Sequence, residues 1–344
     1  MREEDIRSLK VIDEVWDQEH KWMNQFFDKN GLIKNEYTTI VACPCCGNKN
    51  FERFLTKWGF KLVKCKKCLT IYANPRFKPE MLELYYKSNE SRGNYQKLLA
   101  NGKAEKTRIN SIFLPRKQYI KKQISLKTKK FSKVNLLDIG CASGQFLSTF
   151  SPKECRNLYG VEPSTKLAKI AEKIAPSAKI INLPIEQCNF ESNYFDVITM
   201  WEVLEHMFDP YQFLKNTIKI LKKRGFFFAT FPNIEGFDIQ ILWDKGEAFS
   251  PPSHLNYFRK STITKLFYRV GLEIVEITTP GELDTDIVKN RINRHPDITK
   301  RLGTYFSNII KNETEHGQKL RNELQKFIKE NELSSNMMIT AYKK

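Results

Sequence analysis

The residues best suited to chemistry lie between positions 133 and 147. An apolar run there ends in Asp138, and a turn containing Gly140 and Gly144 separates it from a second apolar run. This pattern predicts a strand, a tight loop and a helix that begins near residue 144. A small ligand is expected at such a junction, because ligands of α/β sheets bind at the carboxyl ends of the strands.

The spacing of the glycines excludes two common phosphate-binding loops. A dinucleotide fingerprint needs glycine at its first, third and sixth positions, whereas Ala142 stands between Gly140 and Gly144 here. A P-loop needs lysine and then serine or threonine after its last glycine, but Gln145 and Phe146 follow instead. Neither phosphate-binding pattern fits this turn.

Two acidic residues indicate a ligand that contains an amino acid and a ribose. The Asp138 carboxylate could bind a cationic amine, and the N–H groups of a helix beginning near Ser143 could bind a carboxylate. Glu162 ends a second predicted strand, where its carboxylate could accept hydrogen bonds from both hydroxyls of a ribose. S-adenosylmethionine carries all of these groups, and it is the cofactor that these residues predict.

The elements that would position these residues alternate along the chain after residue 130. Strands are predicted at 134–139, 157–162, 178–182, 194–200, 225–231, 272–278 and 337–342. Helices are predicted at 164–174, 210–223 and 261–270, and residues 283–332 are predicted to be largely helical. This alternation predicts an α/β fold in which helices cover both faces of a mostly parallel sheet.

These motifs resemble those of the class I S-adenosylmethionine-dependent methyltransferases. Residues 138–144 resemble the family's first motif, Glu162 its ribose-binding acid, and residues 195–206 its fourth strand with the helix beyond. The resemblance implies a Rossmann-like sheet of seven strands, whose last strand enters antiparallel between the fifth and the sixth. It also implies that adenine packs near Ile185 and the methionine end near Trp201. The cofactor-binding residues are therefore expected to be Asp138, Gly140, Cys141, Ala142, Ser143, Gly144, Glu162, Pro163, Ile185 and Trp201.

Four cysteines near the N-terminus have the spacing of a zinc ribbon. Two Cys-x-x-Cys pairs, Cys43 with Cys46 and Cys65 with Cys68, lie on either side of a short intervening segment. Each pair can turn two sulfurs toward one tetrahedral ion, which predicts a structural Zn²⁺ with no open coordination position. Disulfides or free thiols are the less favoured alternatives. Cys45 could compete with Cys43 as a ligand.

Histidine is the expected base for removing a proton from the methyl acceptor. His254 lies in a segment, residues 249–258, that resembles one in sugar C-methyltransferases with an N-terminal zinc module, where the histidine serves as base. That family usually carries a second histidine or acid where this chain has Ser253. The sequence therefore leaves two roles open for His254, a general base and a positioning residue. Tyr257 is a secondary candidate. His206 resembles the histidine of the Glu-His pair in quinone O-methyltransferases, where it could contact substrate or fix the following helix.

The rest of the chain is divided into segments around this core. Residues 1–40 are predicted to be a helical segment, 41–78 the zinc ribbon and 79–130 a helical linker. The methyltransferase core is predicted at 131–280, and a helical insertion with the final core strand at 281–344. Three linker tyrosines could line the acceptor site, although packing is their favoured role: Tyr85, Tyr86 and Tyr95.

The chain has 57 Lys and Arg against 39 Asp and Glu, which gives a net charge of +18 at pH 7. Such an excess suits a phosphorylated substrate, nucleic acid or an anionic membrane surface, but lysine-rich solvated faces are the favoured explanation. Residues 103–133 form a basic segment that could attract a phosphate-bearing substrate. No stretch has the length of a membrane span, and the N-terminus lacks the apolar core of a signal peptide, so a cytoplasmic location is expected.

The favoured interpretation is an S-adenosylmethionine-dependent methyltransferase with a structural Zn²⁺. From the family resemblance alone, its acceptor is expected to be a small polar molecule such as a nucleotide-linked sugar or a surface-glycan precursor, methylated at oxygen or carbon, which indicates polysaccharide biosynthesis. An RNA methyltransferase is the main alternative, although the Asn-Pro-Pro-aromatic motif and the aromatic-basic clusters of RNA readers are missing from the sequence. A non-catalytic scaffold that kept the fold is the third interpretation.

Overall fold

The elements of the chain are taken from a computed structural model that describes residues 2–88, 102–126 and 130–344. In chain order the strands are β1 (Thr38–Thr39), β2 (Phe51–Lys57), β3 (Phe60–Cys65), β4 (Ile71–Ala73), β5 (Arg76–Phe77), β6 (Asn135–Ile139), β7 (Asn157–Val161), β8 (Lys179–Ile181), β9 (Phe195–Trp201), β10 (Leu221–Pro232), β11 (Asn256–Tyr257), β12 (Leu272–Thr278) and β13 (Asn336–Lys343). The α-helices are α1 (Leu9–Met23), α2 (Pro79–Ser88), α3 (Gly102–Arg108), α4 (Leu114–Ser125), α5 (Thr165–Ile174), α6 (Pro210–Ile220), α7 (Phe237–Leu242), α8 (Lys260–Arg269), α9 (Asp284–Arg294), α10 (Asp297–Leu302), α11 (Thr304–Lys311) and α12 (Glu315–Glu330). A π-helical turn, Ile109–Phe113, joins α3 to α4.

Seven strands form one sheet in the order β12-β13-β10-β9-β6-β7-β8. The strands from β10 to β8 in this order are parallel, and β13 runs antiparallel to both β10 and β12. The predicted α/β class, the seven strands and the antiparallel last strand are therefore confirmed. Because parallel strands end at the same edge, the loops that follow β6, β7, β8 and β9 share one side of the sheet.

Helices bury this sheet on both faces, which explains why its central strands are continuous apolar runs. All five residues of β6 are buried. Successive residues of β10 pack on opposite sides: Phe227 contacts Phe267 of α8 at 5.7 Å, and Phe228 contacts Tyr119 of α4 at 6.1 Å between ring centroids. The helical run before the first core strand is therefore part of one layer of the domain.

The strands of the ribbon form a second sheet that contains a strand from the methyltransferase core. Its order is β11-β4-β3-β2, so the short strand β11 extends the sheet of the ribbon. The hydrophobic core is also continuous, because Val63 and Tyr72 of the ribbon belong to the same buried cluster as Phe258 and Phe267. The ribbon is thus packed into the catalytic domain.

No α-helix begins near residue 144 within the described range 130–344, and that prediction is wrong. The chain makes a turn there and then a single 3₁₀ turn, Leu147–Thr149. Gly144 has a φ of +80°, outside the helical region, and Pro152 favours extended backbone at the residue before it, so little chain is left for a helix. The hydroxyls of Ser148 and Thr149 also donate to carbonyls three residues earlier, which competes with helical hydrogen bonding.

The helix predicted at 210–223 begins as expected and ends three residues early. Asp209 caps it, because its carboxylate accepts a hydrogen bond of 2.9 Å from the backbone N–H of Gln212. The helix ends at Ile220, and β10 begins at Leu221 instead of residue 225. Leu221 pairs with Phe195 of β9, so strand pairing outweighs the helical propensity of the two lysines that follow.

The linker tyrosines do not all lie in the described residues. Tyr95 lies outside them. Tyr85 is buried, donates a hydrogen bond of 2.9 Å to Glu19, and packs 5.6 Å from Trp22 of the N-terminal helix. Tyr86 packs against the Tyr85 ring at 5.1 Å. The packing role that the sequence favours for Tyr85 therefore agrees with its contacts.

The residues after β12 form a bundle of four helices, α9 to α12, before the chain returns as β13. Val288, Ile292, Ile298 and Ile310 form its buried apolar cluster, together with Leu242 of α7. Across the ranges 2–88, 102–126 and 130–344, the helices are too short or too polar to cross a bilayer.

Candidate active site

Asp138 and Glu162 lie at the carboxyl ends of two adjacent strands. Asp138 is opposite Gly160 in the register of β6 and β7, and Glu162 follows the last residue of β7. The loop after β6 is tied to the end of β7, because the N–H groups of Gly140 and Cys141 both donate to the carbonyl of Val161, at 2.8 and 3.1 Å. This arrangement puts both acids and the glycine loop at one edge of the sheet.

The Glu162 carboxylate is oriented by backbone N–H groups on two sides. It accepts hydrogen bonds from Ala142 at 3.0 Å and from Ser164 at 2.8 Å, and its side chain is buried. Asn182, which follows β8, donates to the carbonyls of Glu162 and Pro163 at 2.9 and 3.1 Å. The loop that begins at Asn182 leads to Ile185, so the expected adenine contact lies on the same edge as the expected ribose contact.

Asp138 is buried and accepts a hydrogen bond of 2.6 Å from the Thr199 hydroxyl of the neighbouring strand β9. Burial raises the pKa of Asp138 to about 7, while the Thr199 hydrogen bond and the positive charge of Arg116 oppose this rise. A cationic amine placed beside this carboxylate would favour its ionised form. The amine of an amino acid ligand would therefore stabilise the ionised form of this buried acid.

The loop between Gly140 and Gly144 does not supply the helix N-terminus that the sequence predicts near Ser143. Its N–H groups bind within the protein, since Ala142 donates to Glu162 and Gly144 donates to the carbonyl of Cys141 at 2.9 Å. The expectation that helix N–H groups bind the carboxylate of the ligand is therefore corrected. Gly140 is needed here for its conformation and its small size. Its φ is +69°, and a Cβ atom on it would lie 2.7 Å from a methyl group of Val203.

Two histidines from distant parts of the chain lie next to each other. His206 ends the 3₁₀ turn Leu204–His206, His254 precedes β11, and their ring centroids are 4.8 Å apart. The Nδ1 atom of His206 lies 2.9 Å from the carbonyl oxygen of Ser253, and that of His254 lies 3.0 Å from the carbonyl oxygen of Ala248. A carbonyl only accepts hydrogen bonds, so each Nδ1 carries the proton and each Nε2 carries the lone pair of a base.

Tyr257 faces the backbone of this pair. Its hydroxyl donates a hydrogen bond of 2.8 Å to the carbonyl of His254, and its side chain is buried. Burial raises the pKa of Tyr257 well above its usual value, so the hydroxyl keeps its proton at neutral pH. These contacts make Tyr257 a support for the His254 segment.

Glu205 adds an acid to the histidine pair. It is 1% exposed, and burial together with the nearby Glu202 raises its pKa well above the usual value. Glu205, His206 and His254 each offer one ligand atom within 4.8 Å of the others, so this group is able to hold a cation. A bound cation would return Glu205 to its ionised form.

A family model described as a methyltransferase domain matches residues 96–277. The chain belongs to this methyltransferase domain family. It is an S-adenosylmethionine-dependent methyltransferase, as its motifs predict, and the enzyme prediction is confirmed.

Known relatives of this methyltransferase match about half of the chain. Ubiquinone biosynthesis O-methyltransferase of Coxiella burnetii (strain Dugway 5J108-111) is 36% identical over 193 residues, which are 51% of this chain and 80% of that protein. The protein of the same name from Pelagibacter ubique (strain HTCC1062) is 31% identical over 192 residues, 50% of this chain and 78% of that protein. A solved S-adenosylmethionine-dependent methyltransferase from Mesorhizobium loti covers 62% of this chain and 93% of its own, with 12% identity and a TM-score of 0.41.

Arg116 lies beside Trp201, a position that the sequence does not reveal. Its guanidinium lies 4.6 Å from the centre of the Trp201 ring and 5.7 Å from that of Phe113. Burial lowers the pKa of Arg116 to about 10, while the charges of Glu202 and Asp138 oppose this decrease. The residue belongs to a basic segment in the sequence, and only the position of α4 over the sheet brings it to the cofactor edge.

Other cations of the segment 103–133 bind within the protein. Lys117 and Lys121 each lie 2.8 Å from the carboxylate of Glu154, and Arg108 donates to Gln145 at 3.1 Å. Among the described residues of this segment, these side chains therefore contribute little to a phosphate-binding surface.

The four predicted zinc ligands lie together. The Cys43 and Cys68 sulfurs are 3.4 Å apart, those of Cys46 and Cys65 are 3.6 Å apart, and all four lie within 4.8 Å of one another. The buried Cys45 is not a member of this group. The donor set and its spacing are compatible with one tetrahedral Zn²⁺, and they favour Cys43 over Cys45 as the ligand.

Proposed function

We propose that the chain is an O-methyltransferase that transfers the methyl group of S-adenosylmethionine to a hydroxyl of a small polar acceptor. The observation that carries this proposal is the histidine pair at the cofactor edge, with a basic Nε2 atom on each ring. The segment that bears His206 lies close to the glycine loop, since a Cβ atom on Gly140 would lie 2.7 Å from a methyl group of Val203. A hydroxyl or a carbon acid needs a base of this kind, and the relatives named ubiquinone biosynthesis O-methyltransferase favour the hydroxyl.

The proposed cofactor site uses different groups for each part of the ligand. Asp138 would bind the amine, and Glu162 would bind the ribose hydroxyls. The two loops that carry Pro163 and Ile185 would contact the adenine. Arg116 and Trp201 would bind the carboxylate in place of the missing helix N-terminus. The indole nitrogen of Trp201 supports this role, because it is buried and has no acceptor among the described residues.

The proposed base acts on the acceptor hydroxyl. When bound, S-adenosylmethionine supplies a methyl group on a sulfonium, so that the C–S bond breaks as the new O–C bond forms. The Nε2 atom of His254 or His206 takes the hydroxyl proton, and the carbonyl that binds Nδ1 stabilises the resulting imidazolium. Holding the hydroxyl in line with the methyl group lowers the barrier further, because no reorientation is then needed.

For the acceptor we propose a nucleotide-linked sugar or glycan precursor, because residues 249–258 resemble a segment of sugar C-methyltransferases, a resemblance that supports the acceptor class and not the methylated atom. The second candidate is a dihydroxyphenyl ring, because the relatives named ubiquinone biosynthesis O-methyltransferase match this chain at up to 36% identity. We also propose that Cys43, Cys46, Cys65 and Cys68 hold one structural Zn²⁺, which fixes the ribbon.

The test is a methyl-transfer assay of the full chain with two kinds of acceptor. The protein is incubated with S-adenosylmethionine and either a panel of uridine and thymidine diphosphate sugars or protocatechuate. Product mass is then measured, and one added CH₂ in a sugar nucleotide supports the first candidate. Methylation of protocatechuate alone supports the second. Transfer to neither, or to an RNA transcript only, would overturn the proposed acceptor class.

A further inference from the structure

The segment that carries His254 is held by the ribbon. Strand β11 begins two residues after His254 and pairs antiparallel with β4 of the ribbon, with Asn256 opposite Tyr72 and Tyr257 opposite Ile71. The N–H of Ala73 also donates to the carbonyl of Leu255 at 2.9 Å. His254 therefore directly precedes a strand whose only sheet neighbour, in the described residues, is a ribbon strand.

Arg76 joins this segment to the one that follows His206. It is fully buried, and its guanidinium donates to the carbonyls of Ala73 at 3.1 Å and Phe208 at 2.7 Å. It also donates to the carbonyl of Leu255 and the side-chain oxygen of Asn256, each at 3.3 Å. One side chain thus binds the ribbon and both histidine-bearing segments.

Asn256 completes the connection between the two histidine segments. Its side-chain N–H groups donate to the carbonyls of Glu205 at 3.3 Å and Met207 at 2.7 Å, on either side of His206. The N–H of Leu255 donates to the same Glu205 carbonyl at 2.8 Å. Arg76 and Asn256 therefore form a buried network whose acceptors are all neutral, so it holds backbone in place without a compensating carboxylate.

We infer that Arg76 is a positioning residue that sets the separation of His206 and His254, and that the ribbon acts on the active site through it. A guanidinium suits this task because its donors lie in a rigid plane, whereas the ammonium of lysine is a single point of charge. The metal-binding part of the ribbon lies close to β4. Cys65 ends β3, and its N–H donates to the carbonyl of Thr70, which directly precedes β4. This inference rests on the proposed function only for the role of the histidines.

The five histidines of the chain provide the test. In full-length protein labelled with ¹⁵N-histidine, the ring signals of His206 and His254 are assigned by single substitution. We expect Arg76→Lys to shift both signals and the pH midpoints of their titrations, while the exposed His316 keeps its signal. The Kd for S-adenosylmethionine should stay within twofold, because Arg76 has no contact with Asp138 or Glu162 among its hydrogen bonds.

Arg321→Lys is the matched control, because Arg321 is also buried and donates to the backbone carbonyls of Ile310 and Asn312 inside the helical insertion. We expect it to leave the His206 and His254 signals unchanged. Asn256→Ala is the second variant if Arg76→Lys fails to fold, and it should shift the same two signals. Unchanged signals in both network variants, or equal shifts in Arg321→Lys, would overturn the inference.

Removal of the ribbon metal tests the same path from its other end. Because a chelator would also strip a cation from Glu205, His206 and His254, the metal is removed by Cys46→Ser, which should move the His206 and His254 signals and leave that of His316 in place. If an acceptor is found, kcat of Arg76→Lys should decrease by about tenfold or more while KM for S-adenosylmethionine changes less than twofold. A wild-type chain without methyl transfer would refute the proposed function, whereas the ring signals would still decide the coupling.

Discussion

The guanidinium of Arg116 lies over the ring of Trp201, with 4.6 Å between its central carbon and the ring centre. Arg116 comes from the helix α4 before the core, and Trp201 ends the central strand β9. The contact places a cation beside a buried indole N–H that has no acceptor in the described part of the chain. Together they form the donor pair that a carboxylate at the cofactor edge would need.

Replacing Arg116 should therefore weaken the cofactor through its amino acid part. We expect Arg116→Gln to raise the Kd for S-adenosylmethionine by about 10- to 100-fold, since a hydrogen bond to a charged group contributes roughly 1.5–3 kcal/mol. Calorimetry measures the change. Binding of methylthioadenosine, which lacks the carboxylate, should change little. Arg156→Gln, at an exposed arginine near the opposite edge, is the control, and an equal loss there would contradict the assignment.

Asp138 should lower the free energy of unfolding at neutral pH, because its buried carboxylate is suited to a ligand. The pKa of about 7 means that the folded protein must ionise a buried acid as the pH rises, while the unfolded chain ionises near 3.8. Stability is therefore lost between about pH 4 and 7, and Asp138→Asn lacks this loss. We expect the stability advantage of the variant to grow by roughly 2 kcal/mol between pH 5.5 and 8.5 in urea unfolding.

The same Asp138→Asn variant should bind S-adenosylmethionine more weakly at pH 8.5, because a neutral amide attracts the amine less than a carboxylate does. For the wild type, affinity should fall as the pH is lowered through about 7, where Asp138 gains its proton. A variant that binds as tightly as the wild type at both pH values would remove Asp138 from the proposed site.

Gly140 should tolerate a side chain less well than Gly271, another glycine with a positive φ. In Gly140→Ala the new Cβ would lie 2.7 Å from Val203, whereas Gly271, with a φ of +89°, has nothing within 4 Å. Backbone strain alone costs about 1–2 kcal/mol, which is the effect expected for Gly271→Ala. Gly140→Ala should cost about 1–3 kcal/mol more, because Val203 must move. Equal free energies of unfolding for the two variants would show that Val203 does not restrict a side chain at residue 140.

The ribbon cysteines should differ in metal binding according to their place in the sulfur cluster. We expect one Zn²⁺ per chain by elemental analysis, reduced to well below one in Cys46→Ser. Cys45→Ser should keep its zinc, because Cys45 is not one of the four clustered sulfurs. Loss of zinc from both variants alike would show that the cluster seen here is not the ligand set.

His254 should affect turnover and leave cofactor binding intact. We expect His254→Ala to lower kcat by about 100-fold or more with an accepted substrate, because a general base contributes about 10²–10⁴-fold. The Kd for S-adenosylmethionine should stay within twofold, and His316→Ala, at an exposed position, should behave as wild type. Should His254 only position the acceptor, His254→Gln would recover most of the rate and keep the wild-type pH profile.

Much of the fold could be read from local sequence. The strands of the core are apolar runs with acids or glycines at their ends, whereas the antiparallel direction of the last strand, found as β13, came from the family resemblance. The turn that replaces the predicted helix near residue 144 could not be found in this way, because apolar periodicity does not report the preference of Gly144 and the hydroxyls after it for turns. The early end of α6 has a similar origin, since Leu221 pairs with a strand that is distant in sequence.

The sequence alone determined the class of fold, the acids at the ends of β6 and β7, and the four clustered cysteines, because each depends on spacing within a short stretch. The tertiary structure decided the rest. It brought Arg116 over Trp201, placed His254 beside His206 and made the ribbon share a sheet with β11. Such contacts join residues far apart in the chain, and their distances are set by how helices and strands pack, which no local pattern encodes.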